Sequence, residues 1–145
     1  MKHSYLLNIV ISIVVLGFVS CATGAKKGSG ADCSWIIGTW EGKDGTGKTG
    51  IFDFTSDNKI TLIIDDQRMG GPDLLRYSIN CAKKPVELEI LGIDAEGKQR
   101  GKISMIVNMI SKDRIKIKTY FNDSTPLGFD NETSENTITL DRKPD

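Results

Sequence analysis

The chain has 145 residues, with 19 acidic and 19 basic side chains, three cysteines and one histidine. Balanced charge without a basic stripe argues against a nucleic-acid partner, and the length allows one small core. The single histidine, His3, sits in the N-terminal leader, so the rest of the chain has no imidazole for a catalytic triad, a zinc site or general base work.

MKHSYLLNIVISIVVLGFVSC begins with Lys2 and His3, continues as an apolar run from Leu6 to Val19 and ends on Cys21. The run is shorter than the ~20 residues of a membrane span, so residues 1–20 read as a secretion signal. Phe18-Val19-Ser20 before Cys21 resembles the lipobox of bacterial lipoproteins. That resemblance implies cleavage before Cys21, lipid on Cys21, and a place in the cell envelope, at the outer membrane of a diderm bacterium. An uncleaved anchor and a plain signal peptide are the alternatives. Residues 21–32 form a Gly/Ala/Ser/Lys tether with nothing to bury, and residues 33–145 form one domain.

GKDGTGKT, Gly42 to Thr49, fits the phosphate-loop pattern G-x-x-x-x-G-K-[ST]. That loop works only where a helix begins at its Lys-Thr and adds its positive end to the phosphate cradle. Gly50-Ile51-Phe52-Asp53-Phe54 instead alternates like a strand. GKDGTG therefore reads as a hairpin connection, and no nucleotide is expected, least of all for an exported protein.

After a short plug at Ser34-Trp35-Ile36-Ile37, strands are expected at 39–43, 49–55, 59–65, 74–80, 86–91, 101–110, 114–121 and 137–142. Period-two alternation is plain in Ile60/Leu62/Ile64, Leu75/Tyr77/Ile79 and Val86/Leu88/Ile90. The fold class expected is all-β, an eight-stranded up-and-down antiparallel barrel with an N-terminal plug. In such a barrel alternate connections share an end. Residues 56–58, 81–85 and 111–113 are short and make a closed end; 43–48, 66–73, 92–100 and 122–136 are longer and make a mouth, where Arg68, Met69, Leu127 and Phe129 are the side chains to watch.

With Cys21 assigned to lipid, Cys33 and Cys81 remain as a disulfide pair in an oxidising compartment, with two separately buried thiols as the alternative. Both lie at the closed end. Asp65 and Asp66, at the end of an expected strand, read as solvated loop carboxylates, since neighbours on a strand point to opposite faces and do not converge on one bond. Asp130 to Glu135 lacks the ligand spacing of a calcium loop. No metal, cofactor or enzymatic activity is expected.

Ile37-Gly38-Thr39-Trp40 resembles the G-x-W motif that opens lipocalins. The chain is more similar still to bacterial lipocalin-like domains of the planctomycete type, through Lys83 to Ile90, Ser111 to Ile117, Thr125-Pro126 with Phe129, and Ile138 to Arg142. The resemblance implies that Arg142 packs over Trp40 as a structural pair. A ligand pocket would be lined by Phe52, Phe54, Leu62, Tyr77, Leu88, Met105 and Phe121, unless those side chains simply fill the barrel. Two functions follow: a lipid-anchored binding protein for a small apolar or amphipathic ligand, or a surface module whose mouth loops contact a partner protein.

Overall fold

The computed structural model describes residues 31–71, 73–120, 128–130, 132–133 and 135–144. Phe121, Leu127 and the N-terminal 30 residues, Cys21 among them, lie outside the described residues.

Among the described residues the fold is all-β. A 3-10 turn at Ser34–Ile36 leads into β1 (Gly38–Lys43), β2 (Thr49–Phe54), β3 (Ile60–Ile64), β4 (Gln67–Met69), β5 (Leu75–Asn80), β6 (Val86–Ile93), β7 (Gln99–Ser111), β8 (Arg114–Tyr120) and β9 (Thr137–Arg142). They form one sheet in the order β4-β3-β2-β1-β9-β8-β7-β6-β5, and every pairing is antiparallel. This is a meander in which β9 returns beside β1 and curls the sheet. Its two ends meet where Arg76 bridges Lys59 and the Tyr77 N–H donates to the Asn58 carbonyl at 2.9 Å.

The count is nine strands, which corrects the eight expected. The additional strand is β4, in a segment read as loop. Asp65 and Asp66 have φ of 49° and 63°, a two-residue turn between Ile64 and Gln67. Positive φ at both central residues gives a turn whose twist matches a hairpin, and Asp tolerates it better than most residues. The two carboxylates are thus exposed turn residues, in keeping with the solvated loop carboxylates expected.

Alternation fills the inner face. Trp40, Phe52, Phe54, Ile60, Leu62, Tyr77, Leu88, Ile90, Met105, Val107, Ile115, Ile117 and Leu140 form one buried cluster. Ile36 of the 3-10 turn joins them from below, and sealing that side chain contributes about 1.5–3 kcal/mol. The β1–β9 seam closes on a glycine, since a Cβ at Gly42 would stand 2.0 Å from the Thr139 carbonyl oxygen.

The connections at 55–59, 81–85 and 112–113 gather at one end, with the plug beneath them. Cys33 and Cys81 are joined there by a disulfide with Cα atoms 5.8 Å apart. It staples the chain entering the domain to the end of β5.

Candidate functional site

The phosphate-loop-like segment is a hairpin turn, and β2 follows Lys48 directly. The Asp44 N–H donates to the Lys48 carbonyl at 3.0 Å, and the Gly47 N–H, with Gly47 at φ 88°, returns to the Asp44 carbonyl at 3.0 Å. The Asp44 carboxylate accepts the N–H groups of Thr46 and Lys48 and the Thr46 hydroxyl. Those bonds, the Thr46 hydroxyl foremost, hold its carboxyl below the usual range. The amides that would cradle a phosphate are therefore turned onto a carboxylate of their own loop.

The same turn occurs twice more. Asp94 to Lys98 repeats every bond except that of the Thr46 hydroxyl, whose place Glu96 takes, with Gly97 at φ 80°. Thr55 to Lys59 repeats the backbone pair with Asn58 at φ 63°, the Thr55 hydroxyl standing in for the carboxylate. Each is a turn closed by one left-handed residue, the usual three-residue hairpin connection.

At the open end lies a cavity of about 300 Å³. Phe52, Leu62, Ile64, Met69, Ile103, Met105 and Ile138 line it with apolar surface, and Asp44, Lys48, Thr119, Glu135, Asn136 and Thr137 supply the polar groups. An apolar floor under a few polar groups is the usual composition of a small-molecule site, and the volume is at the small end of the range. Gly50 helps to shape this half of the sheet, for a Cβ there would meet Ile138 Cδ1 at 2.9 Å.

Of the residues expected to line a pocket, Phe52, Leu62 and Met105 come together here. Phe54, Tyr77 and Leu88 do not. They pack in the other half of the core, where Phe54 meets Tyr77 edge to face at 5.0 Å and the Tyr77 hydroxyl donates to the Thr55 carbonyl at 2.8 Å. Burial pushes the Tyr77 phenol above its ordinary pKa, with the Asp57 carboxylate adding to the effect. Ile64, Ile103 and Ile138 were missed, although each continues the inward alternation of its strand one step towards the mouth; Met69, expected at the mouth, reaches the cavity from β4 opposite Leu62.

Trp40 and Arg142 occupy directly paired positions on β1 and β9. The guanidinium carbon stands 4.1 Å from the centroid of the fully buried indole. Arg142 also donates to the Ile37 carbonyl at 2.8 Å and the Trp35 carbonyl at 2.6 Å, while the Trp40 indole N–H donates to the Ile36 carbonyl at 2.7 Å. The pair thus seals the closed end and ties the plug to the last strand.

The connection after β8 departs from the expected mouth loop. Gly128 and Asp130 offer their carbonyls to the Lys118 ammonium on the outer face of β8, and Glu132 pairs with Lys116 at 3.1 Å. Phe129 borders a groove with Trp35, Pro85 and Met109, at the closed end and not at the mouth. The outer face of β7 and β8 is consequently buried too, at Ser104, Ile106 and Lys118.

Among the described residues no three His, Cys, Asp or Glu side chains lie together as a metal site would require. Within the run Asp130 to Glu135, Asn131 and Ser134 lie outside the described residues. Comparison of the chain with family models, with curated proteins and with solved structures finds no match in any of the three.

Proposed function

We propose that the protein is a lipid-anchored binding protein of the bacterial cell envelope, held at the outer membrane through Cys21, that takes a small apolar or amphipathic ligand into the open end of a lipocalin-like barrel. The observation that carries this reading is the division of the interior. The half around Trp40, Phe54 and Tyr77 is packed, whereas the half beneath the long connections keeps a cavity of about 300 Å³ with an apolar floor and polar groups at its edge. A ligand there would bury an apolar body against Phe52, Leu62 and Met105 and leave a polar head near Lys48 and Thr137. The lipocalin-like reading draws support from the stack of Arg142 on Trp40 and from the meander order. Fold likeness alone names no ligand. Binding and release are the whole activity in this reading, with no cofactor, nucleotide or catalytic group engaged.

The four methionines provide the test. Met69 and Met105 line the cavity, whereas Met109 lies at the opposite end. In full-chain protein carrying ¹³C-methyl methionine and held in lipid nanodiscs, decanol should shift the Met69 and Met105 signals and leave Met109 in place. Met105→Trp, which fills the cavity, should abolish the Met69 shift. Equal shifts at all three positions, or none, overturn the reading.

A second reading rests on β4. Gln67, Arg68 and Met69 are all exposed on this three-residue strand, whose outer edge carries no strand among the described residues. An unpaired edge offers backbone groups to an extended segment of a partner protein. Competition between such a partner and decanol would distinguish shared from separate use of the open end.

A further inference from the structure

We infer that the closed end of the sheet is a docking surface for an anionic lipid bilayer, so that the domain stands on the membrane with its cavity facing away.

The apolar part of this surface is small and localised. Among the described residues four large apolar side chains are exposed, and three of them, Ile37, Met109 and Ile110, lie at the closed end. Met109 and Ile110 are 44% and 51% exposed at the tip of the β7–β8 hairpin, where the register shifts between Met109 and Ser111. That irregularity leaves Ile110 without a cross-strand partner at the hairpin tip, while Met109, opposite Ile115, borders the groove beside Trp35.

Three exposed lysines stand beside them. Lys112 follows directly, with its side chain 91% exposed and its ammonium 3.7 Å from Asp113. Lys83 and Lys84 are exposed on the neighbouring turn, and among the described residues no ion pair engages either. The carboxylates of this end are already engaged. Asp32 accepts the Ser34 N–H and hydroxyl, Asp57 pairs with Lys59, Asp113 faces Arg142 and Asp141 pairs with Arg114. Glu87 is half-buried on β6, and the exposed Asp130 adjoins Phe129 at the edge of the groove. Exposed apolar side chains beside the exposed ammonium groups of Lys83, Lys84 and Lys112 match an anionic interface, where the apolar groups enter the headgroup region and the cations meet lipid phosphates.

The chain's own course brings this surface to a membrane. Ala31 and Asp32, where the described chain begins, border the groove that also contains Trp35, Lys84, Met109 and Phe129. The apolar run Leu6 to Val19 precedes them by residues 20–30 alone. A random coil of that length and Gly-rich composition spans roughly 20 Å on average. Whether the N-terminus engages lipid through an acylated Cys21 or through the apolar run itself, the closed end is held at high effective concentration beside the bilayer, so even weak docking is populated. The mouth is kept on the far side.

Tryptophan fluorescence separates docking from anchoring. The chain has two tryptophans; Trp40 is sealed in the core, while Trp35 is half-exposed beside the groove. The full chain would be bound to vesicles of brominated phosphatidylcholine with or without phosphatidylglycerol, and attachment checked by flotation. Trp35 emission should be lost with phosphatidylglycerol and largely retained without it, although the protein floats with both. Lys83→Glu with Lys84→Glu, or Met109→Ser with Ile110→Ser, should restore emission without releasing the protein. Thr46→Trp in a Trp35→Phe background, which reports the mouth, should stay bright throughout. Unquenched Trp35 on anionic vesicles, equal quenching of a mouth tryptophan, or quenching indifferent to both pairs of substitutions would each overturn the inference.

Discussion

Arg142 lies over Trp40, its guanidinium carbon 4.1 Å from the indole centroid, on the strand position directly opposite. The same guanidinium holds the carbonyls of Trp35 and Ile37, so one side chain closes the sheet seam and fixes the plug. Gly38 leaves room for it, being at φ 120° where a Cβ would stand 2.8 Å from Arg142 Nη1. Arg142→Ala removes a cation–π contact and two charge-assisted bonds, and should cost about 2–3 kcal/mol in denaturant melts. Lysine should recover little of this, because it lacks the planar fork that reaches both carbonyls. Hydrogen exchange should quicken in β1 and β9 first, while β5 and β6 keep their protection.

Reduction acts on the same end by a different route. The Cys33–Cys81 bridge closes a loop of 48 residues, for which the chain-entropy model gives about 4 kcal/mol. That is a large share of the stability of a domain this small. A double Cys33→Ala, Cys81→Ala variant should melt at clearly lower denaturant, and its plug should exchange faster than its mouth turns. An unchanged midpoint would show that Ile36 and Arg142 hold the plug unaided.

The acid limit of the domain should be set at its turns and at Arg114. Asp94 is held below the usual carboxylate range by the Lys98 N–H, Asp44 by the Thr46 hydroxyl, and Asp141 by the Arg114 guanidinium. A folded-state pKa below the unfolded value contributes stability that is present above the unfolded pKa, near 3.9, and is lost as pH falls through the folded one. The amide signals of Lys48 and Lys98 should therefore hold steady from neutral pH to about 4 and move only below it. Asp94→Asn should remove the transition at Lys98 and leave the one at Lys48.

These turns also mark what could be read in advance. DGTGK and DAEGK share one pattern and one geometry, so comparing the two within the chain would have identified GKDGTGKT as a hairpin turn without any argument about helices. Strand positions were legible because period-two alternation runs through β3, β5 and β6; β9 fell on its expected bounds. β4 was not, since three exposed residues with no apolar alternation look like loop until the turn at Asp65–Asp66 is seen. The disulfide followed from cysteine count and loop parity. The cavity followed in part: parity named Phe52, Leu62 and Met105, yet it could not say where packing stops, because that depends on strand stagger. Phe129 was misplaced for a related reason. A long connection has no periodicity to show that residues 128–130 lie against the outer face.

Lys118 is the buried charge for which that face was built. It is fully buried beside its cross-strand neighbour Ile106, donates to the carbonyls of Gly128 and Asp130, and stands 5.2 Å from the Tyr120 ring centroid. Bonds to a charged donor contribute about 1.5–3 kcal/mol each, but burying an ammonium costs several kcal/mol. The two nearly offset each other. Lys118→Met keeps the aliphatic stem and removes the charge, so the denaturation midpoint should move by less than about 1 kcal/mol. Lys118→Ala also empties the space over Ile106 and should cost about 2–3 kcal/mol. Both substitutions should release residues 128–130 from β8, seen as faster proteolysis there than in the wild type. A methionine variant as unstable as alanine would mean that the bonds of the ammonium contribute well beyond the cost of burying it.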